Sequence, residues 1–419
     1  MTNRLWLVVL SLVVVIGLVA SACAAPQPEA PPEAPPKAPP EPKEPFQLGV
    51  TGAMTGYAGG TYLPGIEYMR CSFEKLNDEG GIDGRMVEVT IEDNRGEPPR
   101  AISQVKSFIE RDQAPLVLVH SPSATYSGVM AECERANIPL IIGASGTEKE
   151  LPPDPHPLFF DGFYSSLYDS ATLMAHFLRG YDAGPIKIGL LGMDIPVSRA
   201  ATQGFGEACV KLGIEVVYDF IPPGATDLTA VASKFKAEGI NYCEYHGPGE
   251  VSQILYDSLT KLGWEGTLLT AFYASAENAM EAAKARDIDI LYFGHYSLFQ
   301  MDTPGHREAK AMLEKYKASE INSMSLFGCT NAPVIEQIYR EAGYPVTTDK
   351  ALEVMNNLEY NAAPLYGTIK WTETDHKGPA YGVLYVIHGD GTVTQESNWF
   401  MTDALGETLE DLGPELPGN

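Results

Sequence analysis

Hydrophobic and polar positions divide the chain into three stretches with different periods. From Leu5 to Ala20 the residues are apolar, broken only by Ser11 and Gly17. From 24 to 46 the pattern has no period, because ten of the 23 positions are proline. From Phe46 onward, short apolar runs alternate with segments in which apolar residues recur every three or four positions. Phe46 to Val50 reads as a strand leading into the glycine-rich turn 51–60. A helix should then start near Pro64, a residue favoured in a first helical turn, with Ile66, Met69, Phe73 and Leu76 along one face. The same alternation predicts strands at 87–92, 115–119, 138–142, 186–191, 214–220, 241–246 and 267–272. Between them it predicts helices at 99–111, 124–136, 166–180, 199–212, 227–238 and 250–262. Nearly all-apolar strands separated by helices imply an α/β fold of parallel sheets covered on both faces. The roughly 370 residues concerned exceed one comfortable core, so two lobes are expected. After Trp371 come strand-like pieces at 381–387 and 393–400 and an acidic tail, 406–419.

The first stretch has the parts of an export signal: one positive charge at Arg4, an apolar run and small residues before Cys23. It is short for a membrane span, which needs about 20 residues. Ala20-Ser21-Ala22-Cys23 resembles the lipobox of bacterial lipoproteins, with Ala at the usual Leu position. The resemblance implies a signal peptide at 1–22 and a lipid on Cys23. An uncleaved N-terminal anchor is the alternative, and either reading places the rest outside the cytoplasm, tethered to a membrane. The proline-rich segment cannot join a sheet, since proline fixes φ and donates no backbone hydrogen bond. It should run as extended polyproline II, up to ~70 Å, as a spacer.

Composition narrows the function. The chain carries 55 acidic and 29 basic side chains, a net charge of −26. That balance argues against nucleic acid as a partner, which needs clustered Lys and Arg. Without residues 1–22, which contribute Arg4 and no acid, the charge becomes −27, and the stalk 24–46, with four Glu and two Lys, supplies only −2 of it. The acidity belongs to the folded lobes. Cys23, Cys71, Cys133, Cys209, Cys243 and Cys329 are too far apart for a CxxC motif. Among the five left after Cys23 at most two disulfides could form, and Cys133 and Cys209 have the helical spacing of buried small apolar residues.

Ligands of parallel α/β sheets bind beyond the carboxyl ends of the strands. The corresponding loops are 51–61, 120–127, 143–147, 193–198, 246–250 and 272–275, rich in Ser, Thr, Gly and aromatics. No histidine lies in a metal spacing, Gly143-Ala-Ser-Gly146 lacks the GxSxG turn, and the glycine-rich 51–60 lacks the GxxxxGK[ST] of a phosphate cradle. His120 beside Ser121 could form a hydrolytic pair, although a histidine closing an apolar strand is more often structural. A cofactor is therefore not expected, nor an enzyme.

Asn77-Asp-Glu-Gly-Gly-Ile-Asp-Gly-Arg85, followed by a strand and Glu92-Asp93-Asn94, resembles the stretch after the first helix of branched-chain amino acid type substrate-binding proteins of ABC transporters. Gly49 to Gly56, Ser121-Pro-Ser-Ala, Ile138 to Ser145, Thr147 with Glu150-Leu151, Asp227, Gly239-Ile-Asn-Tyr and Asp375-His-Lys-Gly378 follow in the family's order. The resemblance spans roughly 47 to 400. It implies two Rossmann-like lobes joined by three crossovers, the type I periplasmic binding protein fold. The first lobe would be 47–162 with 293–365, the second 163–292 with 366–405. It also implies a small-molecule ligand, a permease as partner and a monomer held to the membrane by its lipid.

In amino acid-binding relatives, hydroxyls and amides of the first lobe hold the ligand carboxylate, which points here to Ser121, Ser123, Ser145 and Thr147. Such donors at helix N-termini suit an anion, although each side chain could equally be a cap. For the second lobe, relatives place Tyr-Gly after the strand matching 186–191 and an acid after that matching 267–272. This sequence has Val197-Ser198 and Phe272-Tyr273 instead. Burying an ammonium without a carboxylate is costly, so the missing acid argues against a zwitterion, unless Glu244 or Glu250 substitutes. With Tyr57, Tyr164 and His246 also at loops, a flat aromatic or short organic acid is the expected ligand. A ligand-sensing ectodomain on the same lobes is the further alternative.

Overall fold

The computed structural model describes residues 43–417, apart from 145, 163–167, 223, 248, 272 and 273. The export segment, Cys23 and most of the proline-rich stretch lie outside the described residues.

The first sheet contains β1 (Phe46–Gly52), β2 (Val87–Asp93), β3 (Val117–His120), β4 (Leu140–Ile142) and β5 (Phe159–Asp161). They are parallel, in the order β2-β1-β3-β4-β5. Helices α1 (Gly59–Asp78), α2 (Pro98–Glu110) and α3 (Tyr126–Ala136) connect them. The period of two explains why the inner strands β3 and β4 are nearly all apolar, while the edge strand β2 alternates. Leu118, Ile141 and Phe160 join the core beneath α1, whereas Val117, Val119, Leu140, Ile142 and Phe159 join Val105, Phe108, Val129 and Cys133 of α2 and α3. Each such burial contributes about 1.5–3 kcal/mol. Gly49 marks where α2 crosses β1 most closely: a Cβ there would lie 2.5 Å from the Phe108 ring.

Helix α1 begins at Gly59, so Pro64 sits inside it rather than in its first turn. The bond that Pro64 cannot make would go to the carbonyl of Gly60, still close to the helix start, and Ile66, Met69, Phe73 and Leu76 are all buried as the periodicity requires.

The second sheet begins with β6 (Lys187–Met193), β7 (Glu215–Ile221), β8 (Tyr242–His246), β9 (Thr267–Ala271) and β10 (Ile290–Gly294), parallel in the order β7-β6-β8-β9-β10. Its helices are α4 (Asp169–Tyr181), α5 (Pro196–Lys211), α6 (Thr229–Ala237), α7 (Gly249–Lys261) and α8 (Ala276–Arg286). The chain then returns to the first lobe, where α9 (Pro304–Lys315), the 3-10 turn Ser323–Phe327 and α10 (Gly328–Ala342) pack on α1. After α11 (Thr348–Met355) and the small hairpin β11 (Glu359–Asn361) and β12 (Thr368–Lys370), it re-enters the second sheet as β13 (Ala380–Ile387).

Here the expectation of wholly parallel sheets is corrected. β13 pairs antiparallel with β10, and β14 (Val393–Gln395), β15 (Trp399–Thr402) and β16 (Glu410–Gly413) continue antiparallel, so the second sheet is mixed. The connection from Ile387 to Val393 is too short for a crossover, which leaves only a hairpin. The stretch 393–400 is likewise two strands, not one, and β16 draws part of the expected acidic tail onto the sheet edge. Cys71, Cys133, Cys209, Cys243 and Cys329 are all buried free thiols. Among the described residues no helix is long and apolar enough to cross a membrane.

Candidate functional site

Three loops of the first sheet end side by side. After β1, the turn is shaped by Asp93 at the end of β2, whose carboxylate accepts the amides of Met54 (2.9 Å) and Thr55 (3.2 Å) and the Thr55 hydroxyl (2.5 Å). Burial alone would raise Asp93, but these bonds outweigh it and hold the carboxyl below its usual range. The turn carries Tyr57, which is 61% exposed and stands over Gly96 at the rim.

After β3, Ser121 is buried and donates its hydroxyl proton to Asn94 Oδ1 (2.9 Å). Asn94 Nδ2 donates to Thr51 Oγ1 (3.0 Å), which donates to Gln104 Oε1 (2.6 Å). Ser121 thereby ties together the ends of β1, β2 and β3. Ser123, half-buried, opens the 3-10 turn Ser123–Thr125 that leads into α3, and among the described residues no side chain caps that turn. After β4, Thr147 forms a capping box: its amide donates to Glu150 Oε2 (2.5 Å), its hydroxyl to Glu150 Oε1 (2.9 Å), and it accepts the Lys149 amide (3.1 Å). Burial pushes the Glu150 carboxyl up despite the bonds from Thr147.

In the second lobe, Ser198 Oγ accepts the Met193 amide (2.9 Å) and donates to the His246 carbonyl (2.8 Å), locking the end of β6 to that of β8. His246 is buried, with Nδ1 3.6 Å from Oε1 of Glu244, which lies on the same side of β8 and is fully enclosed. Burial drives the Glu244 carboxyl up, and His246 offsets this only in part.

The structure therefore brings Ser121, Ser123 and Thr147 onto adjacent loops of one lobe, and Ser198 and His246 into contact in the other. Tyr57 stands at the rim. Ser145, Tyr164, Phe272 and Tyr273 lie outside the described residues.

Behind these loops stands a support of which the sequence reading singled out His120 as more often structural but missed Thr330 and Asn331. His120 is fully buried, edge-on to Tyr62 (5.6 Å) and Phe327 (6.2 Å), and it fits only because its neighbours Gly65 and Gly143 lack side chains. Burial lowers it to about 4. Asn331 Nδ2 donates to the Gly143 carbonyl (3.2 Å), and Thr330 Oγ1 to that of Gly162 (2.8 Å). The available signal was the polar pair Thr330-Asn331 within the otherwise apolar inner face of α10.

A separate crevice of about 1340 Å³ runs between the first-lobe helices and the C-terminal strands, lined by Tyr68, Ser72, Cys329, Tyr360, Trp399 and Leu416 among others. None of the candidate residues lines it. Among the described residues no cluster of His, Cys, Asp and Glu could hold a metal.

The family model for periplasmic binding proteins matches residues 45–392. The chain belongs to that family. Its fold is the type I periplasmic binding protein fold, as solved structures show. A branched-chain amino acid ABC transporter protein from Thermus thermophilus with bound valine superposes with a TM-score of 0.77 at 18% identity, covering 87% of this chain and 98% of that one. A solute-binding protein of R. palustris in complex with 4-hydroxybenzoate gives 0.72 at 15% identity, covering 87% and 99%. A leucine-binding protein from Thermotoga maritima gives 0.70 at 18% identity, covering 86% and 99%. No curated protein matches the sequence significantly. Periplasmic binding proteins are solute-binding components of ABC transporters, and membership places this chain outside the cytoplasm.

Proposed function

We propose that the protein captures a small organic carboxylate, by preference an aromatic one, between its two lobes and delivers it to an ABC permease while a lipid on Cys23 tethers it to the membrane. The observation that carries the reading is the pairing of the family match with the two sets of loops: Ser121, Ser123 and Thr147 on adjacent loops of the first sheet, and Ser198 tied to His246 at the strand ends of the second. Among the described residues no side chain accepts the first amides of the turn at Ser123, which favours an anion there. The sequence after β9 offers Phe272-Tyr273 in place of an acid, and this argues for a flat ligand without an ammonium. The ligands named for the R. palustris and Thermus neighbours, 4-hydroxybenzoate and valine, span both options.

The solute is bound without being transformed. Ser121, adjacent to His120, gives its proton to Asn94 rather than to the imidazole, so no activated nucleophile forms there. Buried Glu244 is the feature that keeps an amino acid as the second reading. Calorimetry with benzoate and 4-hydroxybenzoate against valine and leucine separates the two. Tight binding of an acid with silent amino acids is the expected result, and the reverse overturns the proposal.

A further inference from the structure

The place where the chain passes between lobes holds a buried ion pair. Lys377 Nζ lies 2.8 Å from Asp169 Oδ2, with the two side chains 1% and 0% exposed. Both partners fall in chain stretches expected for the second lobe, 163–292 and 366–405, but the bonds around them run to different sheets. Asp169 opens α4, which packs on β13, and its Oδ1 accepts the Ser170 amide (2.6 Å). Ser170 Oγ lies 2.8 Å from His295 Nε2, whose Nδ1 meets the Tyr381 carbonyl, so Asp169 is held by the second lobe. Lys377 is held by the first: the neighbouring His376 accepts the Asp161 amide (2.9 Å) at its carbonyl and donates its own amide to the Glu150 carbonyl (3.0 Å). The His376 ring stacks on Phe160 at 3.8 Å, and Trp371 Nε1 donates to the Asp161 carbonyl (2.9 Å). Asp375 Oδ1 accepts the amides of Lys377 and Gly378, which fixes the turn.

We infer that the Lys377–Asp169 pair is the pivot on which the two lobes turn, and that it sets how widely they open without solute. In a medium of low dielectric the attraction falls steeply as the charges part, and an unpaired buried charge is strongly disfavoured. Motions that rotate about the contact are therefore permitted, and motions that separate the partners are not. Burial would lower the lysine, yet Asp169 and Asp161 keep it raised, so the charge persists. The inference rests on the solute-binding reading for its purpose, but its test needs no solute.

Spin labels at Arg100→Cys on α2 and Lys261→Cys on α7 report the distance between lobes in the full chain by pulsed electron resonance. Lys377→Met should lower Tm. Lys377→Met with Asp169→Leu removes both charges, and should restore Tm while broadening the distance distribution at least twofold. A restored Tm with a distribution that superimposes on the wild type overturns the pivot. If neither variant folds, Lys377→Arg keeps the charge on a bulkier head group and must shift the mean distance, and an unshifted mean overturns it equally. Failure of every carboxylate and amino acid to bind the wild type would remove the solute reading and leave these distances to decide the pivot.

Discussion

Two histidines illustrate how far single residues depend on what encloses them. His120, packed among Tyr62, Phe327, Gly65 and Gly143, is lowered by burial to about 4, and His295 by burial to about 3. Both folded values lie below the unfolded value near 6.5, so between about 4 and 6.5 the unfolded chain binds more protons than the folded one. The stability tied to these neutral rings is complete above pH 6.5 and is lost as pH falls through that window, about 3.5 kcal/mol for His120 at about 1.4 kcal/mol per unit. Tm should fall between pH 7 and 4.5, and His120→Gln should flatten the dependence in a thermal-denaturation series. The serines give a second contrast. Ser121→Ala removes a buried hydrogen bond to Asn94 and should cost about 1 kcal/mol in urea denaturation. Ser123→Ala should stay within about 0.5 kcal/mol and instead weaken carboxylate binding in calorimetry. Nothing in the spacing of Ser121-Pro-Ser123 distinguishes these roles; only the position of Asn94, 27 residues upstream, does.

At the scale of elements, the periodicity located β1 to β4, from apolar runs or, in β2, a clean alternation, but it missed the three-residue β5, which is too short to show a period. It failed where one element's fate depended on another. Pro64 reads as a helix start by local preference, yet the helix begins at Gly59, because packing against the sheet and α10 outweighs one missing bond. The C-terminal strands read as loose pieces because a pleat carries no mark of its partner's direction, and β16 is hidden in acidic sequence because, as the outermost strand, it is largely solvated. Its role can be checked. Truncation after Thr408 removes Glu410–Gly413 and bares the backbone edge of β15 around Trp399 and Phe400. An uncovered edge templates pairing between chains, so the truncated protein should aggregate under conditions where the full chain does not, as read by light scattering.

For the whole molecule, the five cysteines of the folded part should behave as core rather than as chemistry. Burial pushes Cys133 and Cys209 up to about 12 and raises the others, so a thiol reagent should leave all five unreacted in the native protein and label these five positions after denaturation. Labelling of any before denaturation would show that the lobes open more deeply than their packing implies. The acidity of the lobes bears on the same scale: under the proposed carboxylate reading an anionic solute would approach an anionic protein, and its capture would rest on local donors rather than on long-range attraction.

The sequence by itself determined the α/β class, the loops from which a site can be built and, through several ordered motifs, the family. These are local or near-local properties: a period of two or of 3.6, a turn glycine, a short run of characteristic residues. The tertiary structure decided which hydroxyls are committed to holding the scaffold, that the second sheet is mixed, and that Lys377 meets Asp169 between the lobes. Those outcomes turn on contacts between residues separated by up to more than two hundred positions, where the deciding energies are desolvation and the pairing of buried polar groups. Such energies depend on enclosure, and enclosure exists only once the chain has folded.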